Sequence, residues 1–200
     1  MLNVIKLEFD HQDQSLLRKI NFHVPVGGLL HLRGANGTGK TTLLKLIAGL
    51  YAPSSGEIQF LGQSIIQNTV EYQKKICFVG HKSGVNLHLT VRENCLFDLN
   101  YSAKHQDLLE LAAVFKLEAH LDKLCGLLSA GQRKQVGLLR LWMSQSPLWL
   151  LDEPLVALDD SAILTLMAQL DRHRKRGGAI ILTSHQDLPL NALDYQEYLL

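Results

Sequence analysis

The sequence predicts an α/β fold: a core of parallel strands joined by crossover helices, with a mostly helical segment inserted near the middle. Three observations carry this. Short apolar runs bounded by turn residues alternate with stretches of helical spacing, the pattern of strand–helix–strand units. The runs "KKICFVGH", "LWLLD" and "AIILTSH" are apolar through their middles, as strands buried on both faces are. Residues 82 to about 145 hold three helical patterns in succession, with no strand between them.

The elements follow in order. "NVIKLEF" and "INFHVPV" read as short strands, with "QDQS" between them as a turn. "GLLHLRG" is a third strand. "TTLLKLIAGL" has helical apolar spacing and stops at "YAPSSGE", where Pro and Gly interrupt it. "EIQFLG" and "KKICFVGH" are strands. "TVRENCLFDLNY", "QDLLELAAVFKL" and "GQRKQVGLLRLWMSQ" are the helices of the insert. "LWLLD" is a buried strand, "SAILTLMAQLDRHRKR" a helix, and "AIILTSH" the last core strand. The basic run Arg172 to Arg176 reads as cations at a helix end, complementing the helix dipole before Gly177-Gly178.

Two hundred residues, 46% hydrophobic and 20% charged, suit one domain with a full-sized core. A net charge of +1 offers no general field for nucleic acid, and no such partner is expected. Cys77, Cys95 and Cys125 form no CxxC pattern, so they read as reduced core thiols in a cytosolic protein rather than zinc ligands. The N-terminus lacks the long apolar stretch of a signal peptide, and no uncharged run approaches the ~20 residues that span a bilayer.

The chemistry begins at "GANGTGKTTLL". Gly34-x-x-x-x-Gly39-Lys40-Thr41 matches the Walker A phosphate loop. Polyphosphate is dense negative charge, and holding it takes many donors at close range. Glycines let the N–H groups of Gly34, Ala35, Asn36, Gly37, Thr38 and Gly39 turn inward as a nest, and the helix that follows adds its own N-terminal N–H groups. Lys40 would reach the β- and γ-phosphates, Thr41 would ligate Mg²⁺, and Thr42 would make a neighbouring phosphate contact. The competing reading is a Gly-rich turn followed by a lysine.

"LWLLDEP" puts Asp152 at a strand's C-terminal end, where open α/β sheets bind ligands. Asp152 suits the Mg²⁺ hydration shell, and Glu153 is placed to orient or deprotonate an attacking water. The alternative is two acids capping a strand–turn. "ILTSH" brings His185 to another strand tip, where it could hydrogen-bond a γ-phosphate and the water. In "LSAGQ", Ser129 looks like an N-cap. In isolation that stretch reads first as a simple capped helix and second as a further anion site.

In this order, the phosphate loop, "LSAGQ", "LLDEP", "ALD" at 157 to 159 and "TSH" at 183 to 185 resemble the ATP-binding cassette family along the whole chain. The resemblance implies a P-loop NTPase (RecA-like) α/β fold and a single ATP-binding domain over 1–200. Its core covers about 1–81 and 147–200, with an N-terminal antiparallel β part and a helical subdomain at about 82–146. It implies ATP hydrolysis with Mg²⁺, with Lys40, Glu153 and His185 catalytic. It implies a head-to-tail homodimer in which Ser129, Ala130, Gly131 and Gln132 contact ATP across the interface, joined there by Asp159. Two positions depart from the family pattern. His81 stands where a glutamine usually touches the metal, and Ala130 replaces the first signature glycine. The adenine-stacking aromatic has His11 as its candidate, and Phe9 less well aligned.

"GH" at 80–81, "LSAGQRKQV", "RLW" at 140–142 and "TSHQ" look like the cytochrome c maturation, or haem-exporter, ATP-binding branch. That branch implies integral-membrane partners at the bacterial inner membrane, with this chain peripheral on the cytoplasmic face. ATP hydrolysis there is linked to freeing haem from a periplasmic haem chaperone. Residues 82–97 are expected to line the groove for a helix of the membrane partner. The alternatives are another small exporter of the family and, less so, a soluble ATPase or a scaffold that does not hydrolyse.

Overall fold

The computed structural model describes residues 1–11, 14–82, 84–97, 105–185, 188 and 194–200. The elements in chain order are β1 (Leu2–His11), β2 (Gln14–Val24), β3 (Leu29–Arg33), α1 (Lys40–Ile47), β4 (Ser55–Phe60), β5 (Gln63–Ser64), α2 (Thr69–Gln73), β6 (Ile76–Val79), α3 (Val91–Phe97), α4 (His105–Ala113), α5 (Ala130–Leu138), α6 (Arg140–Met143), β7 (Leu148–Leu151), α7 (Asp160–Lys175), β8 (Ala179–Thr183) and β9 (Gln196–Leu199). Two single 3₁₀ turns, Glu118–His120 and Cys125–Leu127, lie between α4 and α5.

The strands form two sheets. One is antiparallel, in the order β2-β1-β4-β5; the other, in the order β6-β7-β8-β3-β9, is parallel throughout. Each central strand of the parallel sheet divides its side chains between two cores. Leu148 and Leu150 of β7, and Ala179 and Ile181 of β8, join Leu43, Leu44 and Ile47 of α1 and the inner face of the antiparallel sheet. Trp149 and Leu151, with Ile180 and Leu182, join the helices of the insert and α7. Strand side chains alternate, so a strand covered on both faces is apolar at nearly every position, and a polar exception such as His31 or Thr183 needs a partner. β7 and β8 are buried at all of their positions.

Two readings need correction. β8 is not the last core strand, because β9 pairs in parallel with β3 at the sheet edge. Its sequence "QEYL" is mostly exposed and polar, the composition of an edge strand, and shows no apolar run. The single helix expected over "GQRKQVGLLRLWMSQ" divides at Leu139 into α5 and α6. β5 and α2 were not expected: β5 is a strand of two residues, and α2 a five-residue helix whose Asn68 cap, with Glu71 three residues on, is too short a signal to stand alone. Part of "TVRENCLFDLNY", 98–101, lies outside the described residues. All three cysteines are buried.

The basic run at the end of α7 is also not uniformly a set of solvated cations. The His173 ring stacks on Trp149, with centroids 3.7 Å apart and planes 7° from parallel. Arg174 donates from Nε to the Gly27 carbonyl at 2.9 Å. Burial pushes the His173 imidazole down to about 4 from its ordinary 6.5. The ring is therefore neutral in the folded chain at pH 7, while in the unfolded chain it binds a proton below about 6.5. This part of the stability is complete above pH 6.5 and is lost as pH falls towards 4. His173→Phe keeps an aromatic ring against Trp149 without the titrating group. Its urea midpoint is expected to fall less than the wild type's between pH 7 and pH 5.

Candidate functional site

The C-terminal ends of β3, β6, β7 and β8 meet on one side of the parallel sheet. From β3 the chain enters the loop 34–39, and α1 starts at Lys40. Gly39 has φ +98°, and a Cβ there would lie 2.8 Å from Leu17 Cδ2, so glycine alone fits. The Lys40 side chain is buried and folds back over the loop, donating from Nζ to the carbonyls of Gly34 at 2.7 Å and Ala35 at 2.9 Å. Thr38 closes the loop from the other side, its hydroxyl donating to the Ala35 carbonyl at 3.0 Å.

A cleft of about 520 Å³ opens beside this loop, lined by Asn36, Gly37, residues 39–42, His81, Glu153 and His185, with Leu16 and Val156 as apolar walls. Asp152 lies beneath it, buried, bonded to two hydroxyls. Thr41 donates to its Oδ2 at 2.8 Å and Thr183 to its Oδ1 at 2.8 Å. The Asp152 N–H continues the sheet ladder to the Val79 carbonyl at 2.8 Å. The ladder then breaks, for Glu153 adopts φ +50° and its N–H donates to the Thr183 hydroxyl at 2.9 Å. Left-handed backbone at a non-glycine residue costs of order 1 kcal/mol and survives only where its surroundings enforce it. It turns the Glu153 side chain into the cleft. His185 Nε2 stands 3.3 Å from Glu153 Oε1, without the alignment of a hydrogen bond. The His185 side chain is 45% exposed and lies between this cleft and a second one of about 450 Å³, bordered by Arg33, Gly34, Ala35, Ser184 and Glu197.

The "LSAGQ" stretch lies apart from that cleft within one chain. Ser129 is the N-cap of α5, accepting from the Gln132 N–H at 3.1 Å, while the Gln132 side chain accepts from the Ser129 N–H at 3.0 Å: a capping box. Gln132 Nε2 also meets His120 Nε2 at 3.1 Å. Gly131 sits against the turn after Glu153. A Cβ at Gly131 would come within 2.6 Å of the Ala157 carbonyl, and Ala157 itself has φ +66°. Asp159 caps α7, its carboxylate accepting from the Ala162 N–H at 2.8 Å.

Comparison with known proteins fixes the family. The ABC transporter family model matches residues 17–156. The chain belongs to the ABC transporter family. A protein of Legionella pneumophila (strain Lens), named cytochrome c biogenesis ATP-binding export protein CcmA, is 60% identical over 99% of each chain. A Vibrio cholerae protein of the same name is 39% identical over 94% of this chain and 92% of its own. Among solved structures, an ATP-binding subunit of an ABC transporter aligns with TM-score 0.80 and 27% identity over 92% of this chain and 79% of that one. A dimeric ATP-binding cassette in a post-hydrolysis state, bound to ADP and Pi, aligns with TM-score 0.80 at 22% identity over 93% of this chain and 88% of that one, a likeness of fold.

ATP hydrolysis is the general activity of this domain, and the chain is an ATPase of the ABC type. ABC ATPases generally use Mg²⁺ with ATP, and the donor set here fits that ion. A hydroxyl and a carboxylate, Thr41 and Asp152, are hard oxygen donors already 2.8 Å apart. His81 lines the same cleft with a softer nitrogen, and no group of three His, Cys, Asp or Glu among the described residues forms a cage for a metal. Phe9 is not presented to the cleft; it stacks on Tyr51 at 5.9 Å, and Lys45 lies over the far ring at 5.3 Å. The His11 side chain lies outside the described residues.

Three residues at or near this cleft carry no signal of their own in the motifs. Leu16 walls the cleft from β2, without any motif to flag it. Thr183 lies inside "TSH", where the histidine is the residue type that points to chemistry, and its hydroxyl bonds Asp152. Lys134 of α5 is 7% exposed; burial lowers its pKa, while the carboxylates of Asp152 and Glu153 act to raise it. Its helical spacing with Gly131 was the available signal, since positions i and i+3 share a face.

The close approach at Gly131 can be checked directly. Gly131→Ala is expected to lower the unfolding free energy by about 1–3 kcal/mol, the usual cost of overpacking against fixed backbone. Ala130→Gly, the family's usual residue, is expected to move it by no more than the ~1 kcal/mol that separates alanine from glycine in a helix. Urea denaturation of the two variants distinguishes them.

Proposed function

We propose that this chain is the ATP-hydrolysing subunit of a membrane complex of cytochrome c biogenesis, in which hydrolysis is used to release haem from a periplasmic haem chaperone. The observation that carries this reading is the 60% identity, over nearly the full length, to a protein named for that process. The chain acts as a peripheral subunit on the cytoplasmic face of the inner membrane. In keeping with that, no helix among its described residues is long and apolar enough to cross a membrane.

The phosphate loop and the N-terminal N–H groups of α1 hold the triphosphate. Lys40 is the point charge on the β- and γ-phosphates. Thr41 and Asp152 hold Mg²⁺, with His81 beside them. Those residues would hold an ion whose charge would offset the charge that develops on a transferring phosphoryl group. Glu153 orients the attacking water and takes up its proton. His185, against the Glu153 carboxylate, is within reach of both the water and the γ-phosphate. Two copies pack head to tail, so that Ser129, Ala130, Gly131 and Gln132 of one cap the nucleotide of the other, with Asp159 at the interface. The capping box engages the Ser129 and Gln132 side chains and also their own N–H groups, so the N–H groups of Ala130 and Gly131 are the donors for that contact. His11 and Leu16 are the candidates for the adenine side.

For the membrane partner, residues 82–97 form part of the docking face. Leu87, Leu96 and Phe97 are exposed there, and so is Leu127, whose neighbour Gly126 donates its N–H to the Leu87 carbonyl at 2.9 Å. A helix from an integral-membrane subunit would cover such exposed apolar side chains. Ser83 lies outside the described residues.

Two experiments test this. Glu153→Gln is expected to cut ATP turnover at least about 10²-fold. It should also convert the chain, with MgATP, from monomer to dimer by light scattering; wild-type turnover in that variant removes the assigned role. Affinity capture from detergent-solubilised membranes is expected to bring down integral-membrane subunits, and loss of this chain to abolish holo-cytochrome c. Capture of a different exporter's membrane subunits, with cytochromes c intact, would falsify the cytochrome assignment.

A further inference from the structure

Asp152 and Glu153 belong to the apparatus proposed above, but nothing in that proposal explains how two adjacent carboxylates are aimed at different tasks. The answer lies in β8. Thr183 is 0% exposed, and it is the only hydroxyl-bearing residue within a strand that otherwise reads Ala-Ile-Ile-Leu. By strand alternation it shares a face with Ala179 and Ile181, the face packed towards α1. It stands one step beyond the Leu151–Leu182 pair, opposite the point where β7 becomes Asp152. Its hydroxyl works in both directions: it donates to Asp152 Oδ1 at 2.8 Å and accepts from the Glu153 N–H at 2.9 Å.

We propose that Thr183 is a positioning residue that sets both acids at once. By holding Oδ1 it fixes the plane of the Asp152 carboxylate and leaves Oδ2 directed at Thr41, the metal side. By holding the Glu153 N–H it anchors the left-handed turn that swings the neighbouring carboxylate away, to the water side. Valine at this position has the same shape and meets neither need, leaving a buried acceptor and a buried N–H unpaired. This inference rests on the reading of Asp152 and Glu153 given above, and its test keeps the two apart.

The test compares Thr183→Val, Thr183→Ser and Glu153→Gln in the full chain. The first readout is the Mg²⁺ dependence of fluorescent ATP-analogue binding, with the Thr183 substitutions made in the Glu153→Gln background so that no hydrolysis intervenes. The second is kcat of the single variants. Thr183→Val is expected to raise the Mg²⁺ concentration at half-saturation about tenfold and to lower kcat about 10–100-fold, the usual effect of removing a partner that orients a metal ligand. Analogue binding in EDTA should stay within about twofold, because Lys40 and its loop are untouched, and Thr183→Ser should restore both quantities. Should Thr183→Val lose its circular dichroism melt, Thr183→Ala takes its place in the same comparison. A Mg²⁺ curve and kcat within about twofold of wild type for the hydroxyl-free variant, with Glu153→Gln inactive, overturns the role of Thr183. Wild-type turnover by Glu153→Gln overturns the reading beneath it instead.

Discussion

Each central strand of the parallel sheet serves two cores at once, and from that constraint the rest of the site follows. Alternation sends odd and even residues of β7 and β8 to opposite faces, so the parity of a residue at a strand's end decides which side it reaches. Asp152 falls on the face shared with α1, and there it meets the hydroxyl of Thr41, the second residue of that helix. Shifting either strand by one residue would bury the carboxylate among the helices of the insert, unpaired, at a cost no marginally stable domain could absorb.

The acidic pair departs from regular strand geometry at once, and its surroundings enforce that departure. Glu153 and Ala157, both with positive φ, frame a tight turn whose N-terminal end is held by Thr183 and whose C-terminal end runs into the Asp159 cap of α7. The buried Lys134 of α5 lies within electrostatic reach of both carboxylates, which act to raise its pKa against the effect of burial. Two adjacent acids, both buried, repel one another and lose hydration; a nearby ammonium and two hydroxyl donors offset part of that cost. The same groups keep the acids in fixed positions.

Legibility followed physical cause. Buried strands announce themselves because both faces demand apolar residues, and the phosphate loop because only glycines allow its path; "LWLLD" and "GANGTGKT" were therefore plain from sequence. β9 was not, since an edge strand with solvent on one side needs no apolar run, and Glu197 there pairs with Arg33 across the edge at 3.2 Å. Thr183 is not legible because its bond to Asp152 joins residues 31 apart in the chain, a contact that no local spacing encodes. His173 was misread as a dipole cation because a basic neighbourhood at a helix end is the common case. Only the tertiary stack on Trp149 makes it a neutral core ring.

The meeting of Gly131 with the Ala157 carbonyl ties the head of α5 to the turn that carries Glu153. Within each subunit, the surface that would cover a partner's nucleotide and the acids that would act on its own are thereby parts of one stiff unit. In a head-to-tail pair, closing over one nucleotide would press on the turn that carries the acids attending the other. The two sites of such a pair would then behave cooperatively, with the occupancy of each sensed by its twin through a few ångströms of packed backbone rather than through any long-range relay.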